Sequence, residues 1–144
     1  MTTREYPHDI EAERSLLGAM LISKDICIDI LNKTVEDDFY DINHQNIFKA
    51  MAAINEDGMP VDVTTVTSYL MDHNQLDKVG GVDYLFRLSE SVPTVAHSEY
   101  YLKILHDKAI LRRIIRETTR IAESAYDDVD NIDAFIDETE RTIL

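Results

Sequence analysis

Four arginines close together in the last third of the chain have the types and spacing that best suit binding chemistry. They are Arg112, Arg113, Arg116 and Arg120. A guanidinium group can hold a phosphate or a carboxylate through two parallel hydrogen bonds. Three interpretations are open: a solvated face answered by acidic side chains, a contact with a protein partner, or a contact with DNA. The net charge of −14 makes DNA the least favoured of these, because affinity for phosphates needs a basic surface.

The other chemistry-bearing residue types are scattered, and their spacing matches no common catalytic or metal-binding motif. The Lys33-Thr34 step lacks the preceding glycine run of a phosphate-binding loop, so no Walker-type nucleotide site is predicted. The five histidines show no His-Glu-x-x-His pattern, and we expect no metal site. Cys27 is the single cysteine, and its apolar helical surroundings predict a buried, inert thiol.

The composition is typical of a soluble globular protein. The chain has 144 residues, which gives room for one ordinary core plus an appendage. There is no basic-then-apolar leader and no apolar run of membrane length. Together with the low cysteine content, these features predict a cytoplasmic protein without a membrane association.

Helical periodicity runs through almost every segment and predicts an all-α fold, a small helical globule followed by a helical hairpin. Asp9 is expected to cap a first helix, and a third helix should run from about Asn43 to Asn55. Between the second and third helices, Phe39 and Tyr40 are both expected to tuck against the core.

The middle of the chain is less uniform. Asp62 is expected to cap a fourth helix, although the Val- and Thr-rich run at 64–67 leaves a strand as the local alternative. Gly80-Gly81 should break the chain before a fifth helix, which Pro93 ends. The expected inward residues of the fifth helix are Val82, Leu85, Phe86 and Leu88.

Tyr84 lies on the fifth helix outside the inward stripe that Val82, Leu85 and Phe86 already fill. A core position is the default interpretation for this side chain. The alternative is an interface aromatic, because tyrosine is enriched where binding energy concentrates.

A long helix beginning near residue 97 changes its apolar side at about Ile110. Before that point the apolar face holds Tyr101, Leu102, Leu105 and Ala109. After it the arginines take that face, and a new apolar stripe runs nearly opposite through Ile104, Leu111, Ile114, Ile115, Thr118, Ile121, Ala122 and Ala125. A helix that changes its apolar side changes its packing partner. We therefore expect the first half to dock on the preceding globule (residues 1–96) and the second half to pack in a hairpin (residues 97–144).

The second arm of this hairpin should begin after a cap at Asp130 or Asn131. Its apolar stripe is Ile132, Phe135, Ile136, Thr139 and Ile143. Residues 97–120 hold six basic and three acidic side chains, whereas residues 121–144 hold one basic and eight acidic ones. Arms of opposite charge favour antiparallel pairing, although exposed ion pairs contribute only about 0–1 kcal/mol each. The stripe is still in phase at Leu144 without a cap, which predicts that the second arm is truncated and that the chain was cut from a longer one.

The hairpin carries more apolar surface than one short arm can cover, and this predicts an assembly element. The residues expected at a partner or oligomer interface are Tyr84, Ile104, Leu111, Arg112, Ile115, Arg116, Ile121 and Phe135. No catalytic, cofactor-binding or metal-ligating residue is predicted.

Short motifs along nearly the whole chain resemble, in their order and spacing, the N-terminal domain of the bacterial or phage replicative DNA helicase of the DnaB type. The motifs are Pro7-x-x-Ile10-Glu11-Ala12-Glu13, Leu16-Leu17-Gly18-Ala19, Asp38-Phe39-Tyr40, His44, Ile47-Phe48-x-Ala50-Met51, Gly58-x-Pro60-Val61-Asp62, Leu76, Gly80-Gly81, Tyr84-Leu85, Pro93, Glu99-Tyr100-Tyr101, Ala109 and Arg112-Arg113. One departure is the stretch 95–98, where relatives commonly carry an asparagine before the Glu-Tyr-Tyr.

The resemblance implies a function that composition alone does not. Hairpins would pair between subunits, and three dimers would form a collar that docks the C-terminal helicase-binding domain of primase. ATP and Mg²⁺ would bind only in a motor domain that is missing here, so the chain itself would not be an enzyme. The alternative is a free-standing helical adaptor or helicase loader, and a loader is also a possible partner.

Overall fold

The structure, a computed structural model, describes residues 4–92 and 94–143, and over these residues it is all-α with no strand. The elements are α1 (Ile10–Ile22), α2 (Lys24–Lys33), a 3-10 helix (Glu36–Asp38), α3 (Ile42–Glu56), α4 (Val63–Asp72), α5 (Leu76–Val79), α6 (Gly81–Glu90), a second 3-10 helix (Val95–His97), α7 (Ser98–Tyr126) and α8 (Ile132–Ile143). The prediction of an all-α fold is confirmed. The strand alternative at 64–67 is wrong, and α5 was not predicted. Pro93, which was expected to end the fifth helix, and Leu144, where the stripe of the second arm was still in phase, lie outside the described residues.

Three predicted N-caps start their helices. The Asp9 side chain accepts a hydrogen bond from the Ala12 amide at 3.0 Å, and Asp62 accepts one from the Thr65 amide at 2.8 Å. Asn131, rather than Asp130, caps α8, because its side chain accepts from the Ala134 amide at 3.0 Å. Each bond satisfies an amide that the first turn of a helix leaves without a backbone partner.

The chain divides into two compact units. His8–Ala109 forms the first, and the second joins the N-terminal segment up to Pro7 to the chain from Ile110 onward. Helix α7 passes from one unit to the other between Ala109 and Ile110. This is the point at which its apolar side changes in the sequence. The sequence analysis placed the boundary at residue 96, near the start of α7, whereas the two compact units meet between Ala109 and Ile110.

The core of the first unit comes from helices α1 to α6 and the first half of α7. The buried apolar residues include Leu16, Leu17, Met20, Ile47, Met51, Leu70, Leu85, Leu88, Leu102 and Leu105. The burial of Leu102 and Leu105 confirms that the start of α7 docks on this globule. Phe39 is fully buried, but Tyr40 is exposed, so only one of the two aromatics expected in the core lies there.

The inward stripe predicted for α6 is partly wrong. Leu85 and Leu88 are buried, but Val82 is 39% exposed and Phe86 is 52% exposed. The inward direction lies between Leu85 and Leu88, and at about 100° per residue Phe86 falls roughly 130° away from it. The close approach of α6 to α1 fixes this rotation, because a Cβ on Gly18 would lie 2.2 Å from the Leu88 carbonyl oxygen.

Replacing Gly18 by alanine is expected to destabilise the first unit. Alanine normally favours a helix by about 1 kcal/mol over glycine, but here its methyl group would collide with the backbone of α6. Overpacking of this kind costs about 1–3 kcal/mol, and urea denaturation would measure the loss.

Gly58 supplies a comparison in which the added methyl group has no neighbour. A Cβ there would meet nothing within 4 Å, so Gly58→Ala tests the backbone conformation without overpacking. Its φ of +75° should by itself cost about 1 kcal/mol. A Gly18→Ala chain as stable as the parent would contradict the close packing of α6 on α1.

Candidate functional site

The second unit contains a hairpin whose two arms face each other through a small set of side chains. Ile121 and Ser124 of α7 line the same cleft as Phe135 and Thr139 of α8. These four residues are half-buried, whereas most others in the arms are exposed. Ile121 therefore defines the face of α7 that points toward α8, and Phe135 defines the face of α8 that points toward α7.

Four of the exposed apolar residues of the hairpin share one side of it. At about 100° per residue, Leu111 and Ile115 lie roughly 80–120° from Ile121 around α7. In the same sense of rotation, Ile132 and Ile136 lie roughly 60–100° from Phe135 around α8. On two antiparallel helices, an equal rotation in the same sense leads to the same side. We call this surface the apolar side; it comprises Leu111, Ile115, Ile132 and Ile136.

Exposure of this surface is high for residues of this type. Ile132 is 64% exposed, and Leu111, Ile115 and Ile136 are also exposed. Contiguous apolar surface of this kind marks a site of protein–protein contact on a water-soluble domain. Burial of one such side chain against a partner contributes about 1.5–3 kcal/mol before the costs of association.

The opposite surface of the hairpin is charged. We call it the charged side; it carries Arg113, Arg116, Arg120 and Arg141. Arg120 forms an ion pair with Glu117 at 2.6 Å, and this hydrogen bond raises the pKa of the guanidinium, with a smaller contribution from Glu138 of the other arm. The ion pair of Arg120 thus lies within α7, and the acidic second arm adds only a weaker electrostatic contribution.

Arg112 is the exception among these arginines. Its side chain is only 3% exposed, and its guanidinium donates a hydrogen bond to the Pro7 carbonyl oxygen at 2.9 Å. Arg112 lies nine residues before Ile121, which places it about 180° around α7 from the side facing α8. It therefore holds the N-terminal segment to the rear of α7 and presents no exposed surface to a partner.

Tyr84, the candidate in the first unit, belongs to a buried polar network. Its hydroxyl lies 2.5 Å from His44 Nε2, and His44 Nδ1 lies 2.8 Å from Glu13 Oε1. Since a carboxylate only accepts, Nδ1 donates this second bond. Burial raises the pKa of the Tyr84 phenol, and a hydrogen bond with Tyr84 raises the pKa of Arg14. The tyrosine is half-buried, and Phe86 is the more exposed aromatic of α6.

Glu13 also connects this network to the start of α3. The Tyr40 amide donates to Glu13 at 2.8 Å, and the Asp41 amide donates at 3.3 Å. Glu13 and His44 are each about 1% exposed, and every buried side-chain nitrogen or oxygen in the described part of the chain has a hydrogen-bond partner. The sequence analysis missed this pair. The available signal was a polar residue at an inward position on each of two helices, Glu13 four before Leu17 and His44 four before Phe48.

The eight residues predicted at an interface thus have different surroundings. Leu111 and Ile115 lie on the apolar side, Ile121 and Phe135 face each other between the arms, and Arg116 is exposed on the charged side. Arg112 and Tyr84 make internal hydrogen bonds, and Ile104 is half-buried in the first unit. The structure adds Ile132 and Ile136, which the sequence analysis placed in the stripe of the second arm but not in the interface.

A metal site and a membrane-spanning helix each place requirements on the described residues. Among residues 4–92 and 94–143, no group of three or more His, Cys, Asp or Glu side chains is arranged to hold a metal ion. Within the same ranges, no helix combines the length and apolar character that crossing a membrane requires. Cys27 is buried, which raises the pKa of its thiol to about 11.

The buried thiol predicts a pH dependence of stability. The ordinary thiol pKa is 9.0, so an unfolded chain would release the proton of Cys27 at a lower pH than the folded chain. The resulting contribution to stability is fully present below pH 9 and is lost as the pH rises from about 9 to about 11. Urea denaturation across this range should show a steeper fall for the parent chain than for Cys27→Ala. Equal slopes for the two chains would contradict the assignment.

Comparisons with known proteins agree on one family. The family model described as the DnaB-like helicase N terminal domain matches residues 5–107. The chain is 42% identical over 138 residues to the replicative DNA helicase DnaB of Geobacillus stearothermophilus, and it is 42% identical over 138 residues to the replicative DNA helicase DnaC of Bacillus subtilis (strain 168). Each match covers 96% of this chain but only 30% of the relative, so the chain spans less than a third of the length of these proteins.

A solved structure extends the comparison to the fold. The crystal structure of the N-terminal domain of DnaB helicase from Mycobacterium tuberculosis superposes with a TM-score of 0.87 at 36% sequence identity. The match covers 96% of this chain and 98% of that one. The helical globule and the hairpin arms are therefore shared, and the chain belongs to the family of DnaB-like helicase N-terminal domains.

Proposed function

We propose that this chain is a non-catalytic assembly and docking domain of a hexameric replicative DNA helicase. The observation that carries the proposal is a set of four large apolar side chains that share one side of the hairpin and are exposed to solvent. Membership of the family supplies the helicase context. A surface of this kind fits a role in joining subunits, since most oligomers of identical chains close through self-complementary patches.

In this proposal the apolar side of one hairpin packs on the apolar side of a second copy. Three such dimers would then form the collar of a hexamer. The opposite charges of the two arms support antiparallel pairing and help to fix its register. Shape and apolar contact would provide most of the affinity, because exposed ion pairs contribute little.

The proposed protein partner is the C-terminal helicase-binding domain of primase, and a helicase loader is a second candidate. On the hairpin, the residues proposed to contact partners are Ile115 and Arg116, which are exposed. Ile121 and Phe135, which face each other between the arms, would instead hold the two arms together. Tyr84 would contribute from α6, where its ring remains half-exposed beside the Arg87 guanidinium, 5.7 Å from the ring centre.

Catalysis is proposed to belong to another part of the parent protein. ATP and Mg²⁺ would bind there, and this domain would make little direct contact with nucleic acid, in keeping with its net charge of −14. Such a helicase would act in the cytoplasm. The alternative of a free-standing adaptor or loader is less favoured, since the curated relatives cited above are replicative helicases.

Co-sedimentation with a primase C-terminal domain tests the docking role. We expect a complex heavier than either protein alone, and we expect Ile115→Asp to weaken it. Ile22→Asp supplies a matched control, because Ile22 is 51% exposed and lies on α1 of the first unit. A primase domain that sediments independently of the parent chain would contradict the proposal.

A further inference from the structure

The two arms of the hairpin border a groove near their open end, where residues 110–120 of α7 and 141–143 of α8 line the same cavity. It lies between the arms and has a volume of ≈ 680 Å³. Its apolar lining comes from Ile110, Ile114 and Ile143, and its basic rim from Arg113, Arg120 and Arg141. A lining that combines an apolar floor with an arginine rim is the composition of protein-recognition surfaces.

Two of the three rim arginines have no ion pair within the described part of the chain. Arg120 is paired with Glu117, which also lines the groove, but Arg113 and Arg141 are exposed and unpaired among residues 4–92 and 94–143. They reach the rim from different arms. A ligand that presents carboxylates at two points along its length could therefore engage both guanidinium groups.

Charge selects the class of ligand. The whole chain carries a net charge of −14, so an acidic partner is repelled by most of its surface and attracted at this groove. Such a pattern favours one docking position over others. The three isoleucines disfavour a nucleic acid, because an apolar floor offers no partner to a phosphate backbone and Glu117 adds a negative charge at the rim.

We propose that this groove binds an acidic amphipathic segment of a protein partner, with apolar side chains against the isoleucines and carboxylates on Arg113 and Arg141. The proposal goes beyond the proposed function and does not require it, because the site lies within a single hairpin.

A labelled peptide tests this directly. The probe is a helical peptide with leucines at i, i+3, i+4 and i+7 on one face and glutamates on the other, added to the intact chain and followed by fluorescence anisotropy. The charge-reversed peptide, with lysine in place of glutamate, and a single-stranded oligo(dT) are the comparison ligands. We expect binding of the acidic peptide alone, weakening as salt rises.

The double variant Arg113→Gln, Arg141→Gln should lower the affinity for the acidic peptide about tenfold, the loss expected for two exposed charge pairs. Lys24→Gln with Lys78→Gln removes the same charge from two exposed positions of the first unit and should leave the affinity unchanged. Absence of binding to the parent chain, equal affinity for the arginine variant, or equal binding of oligo(dT) would each overturn the proposal. Sedimentation of the same samples keeps this result separate from the test of subunit pairing.

Discussion

Replacing Ile115 and Ile136 together by aspartate is expected to convert the associated chain to monomers while both units stay folded. The two residues come from different arms and lie on the apolar side. Each substitution removes about 1.5–3 kcal/mol of apolar burial and puts a carboxylate where a partner would exclude water. Self-association should weaken by at least about 100-fold. Sedimentation velocity measures the change, and circular dichroism checks that the helical content is retained.

A matched control distinguishes the apolar side from general surface hydrophobicity. Ile22 and Ile42 are also exposed isoleucines, but they lie in the first unit. Changing both to aspartate alters the charge equally and should leave association unchanged. Equal effects of the two double variants would show that the apolar side has no special role in pairing.

His44→Ala is expected to cost the first unit about 3–5 kcal/mol, the loss typical when one partner of a buried ionisable pair is removed. The substitution leaves the Glu13 carboxylate 1% exposed without its imidazole donor, and it removes the bond to the Tyr84 hydroxyl. Thermal and urea denaturation measure the loss. Tyr84→Phe keeps the ring and deletes one hydrogen bond, so it should cost only about 1–2 kcal/mol.

His73→Ala serves as the control for the histidine network. His73 is exposed at the C-terminal cap of α4, where it contacts the carbonyl oxygen and the ring of Tyr69. Its replacement should change the stability by less than about 0.5 kcal/mol. If His44→Ala and His73→Ala proved equally mild, the network would not hold α1, α3 and α6 together.

Local signals in the sequence predict most of the helices. Caps such as Asp9 and Asp62 act through bonds to amides within the same turn, so a few neighbouring residues determine where those helices begin. The change of apolar side near Ile110 likewise reports a real change of unit, because the two faces of one helix have to satisfy different surroundings.

The rotation of a helix and the pairing of distant polar groups are less predictable. The rotation of α6 depends on how closely its backbone approaches Gly18. Helical periodicity alone predicted that Phe86 faces inward, but its side chain is exposed. The bond from Glu13 to His44 spans 31 residues of sequence, and only the packing of α1 on α3 brings the two together. Arg112 could not be separated from its neighbours, because its partner is a backbone carbonyl 105 residues away.

The apolar side of the hairpin shows a related limit. The stripe of the second arm runs through both Phe135 and Ile136 in the sequence, yet Phe135 faces α7 and Ile136 faces solvent. An apolar stripe that is too wide for one neighbouring helix to cover indicates contact with a second partner. Which residues of the stripe are left for that partner depends on where the other arm lies.

Sedimentation equilibrium of the unmodified chain over a range of concentrations tests the central claim most directly. The account predicts a mass that rises with concentration from that of one 16.5 kDa chain to that of a dimer or a multiple of dimers. A single 16.5 kDa species at every concentration would contradict the claim that the apolar side of the hairpin joins subunits.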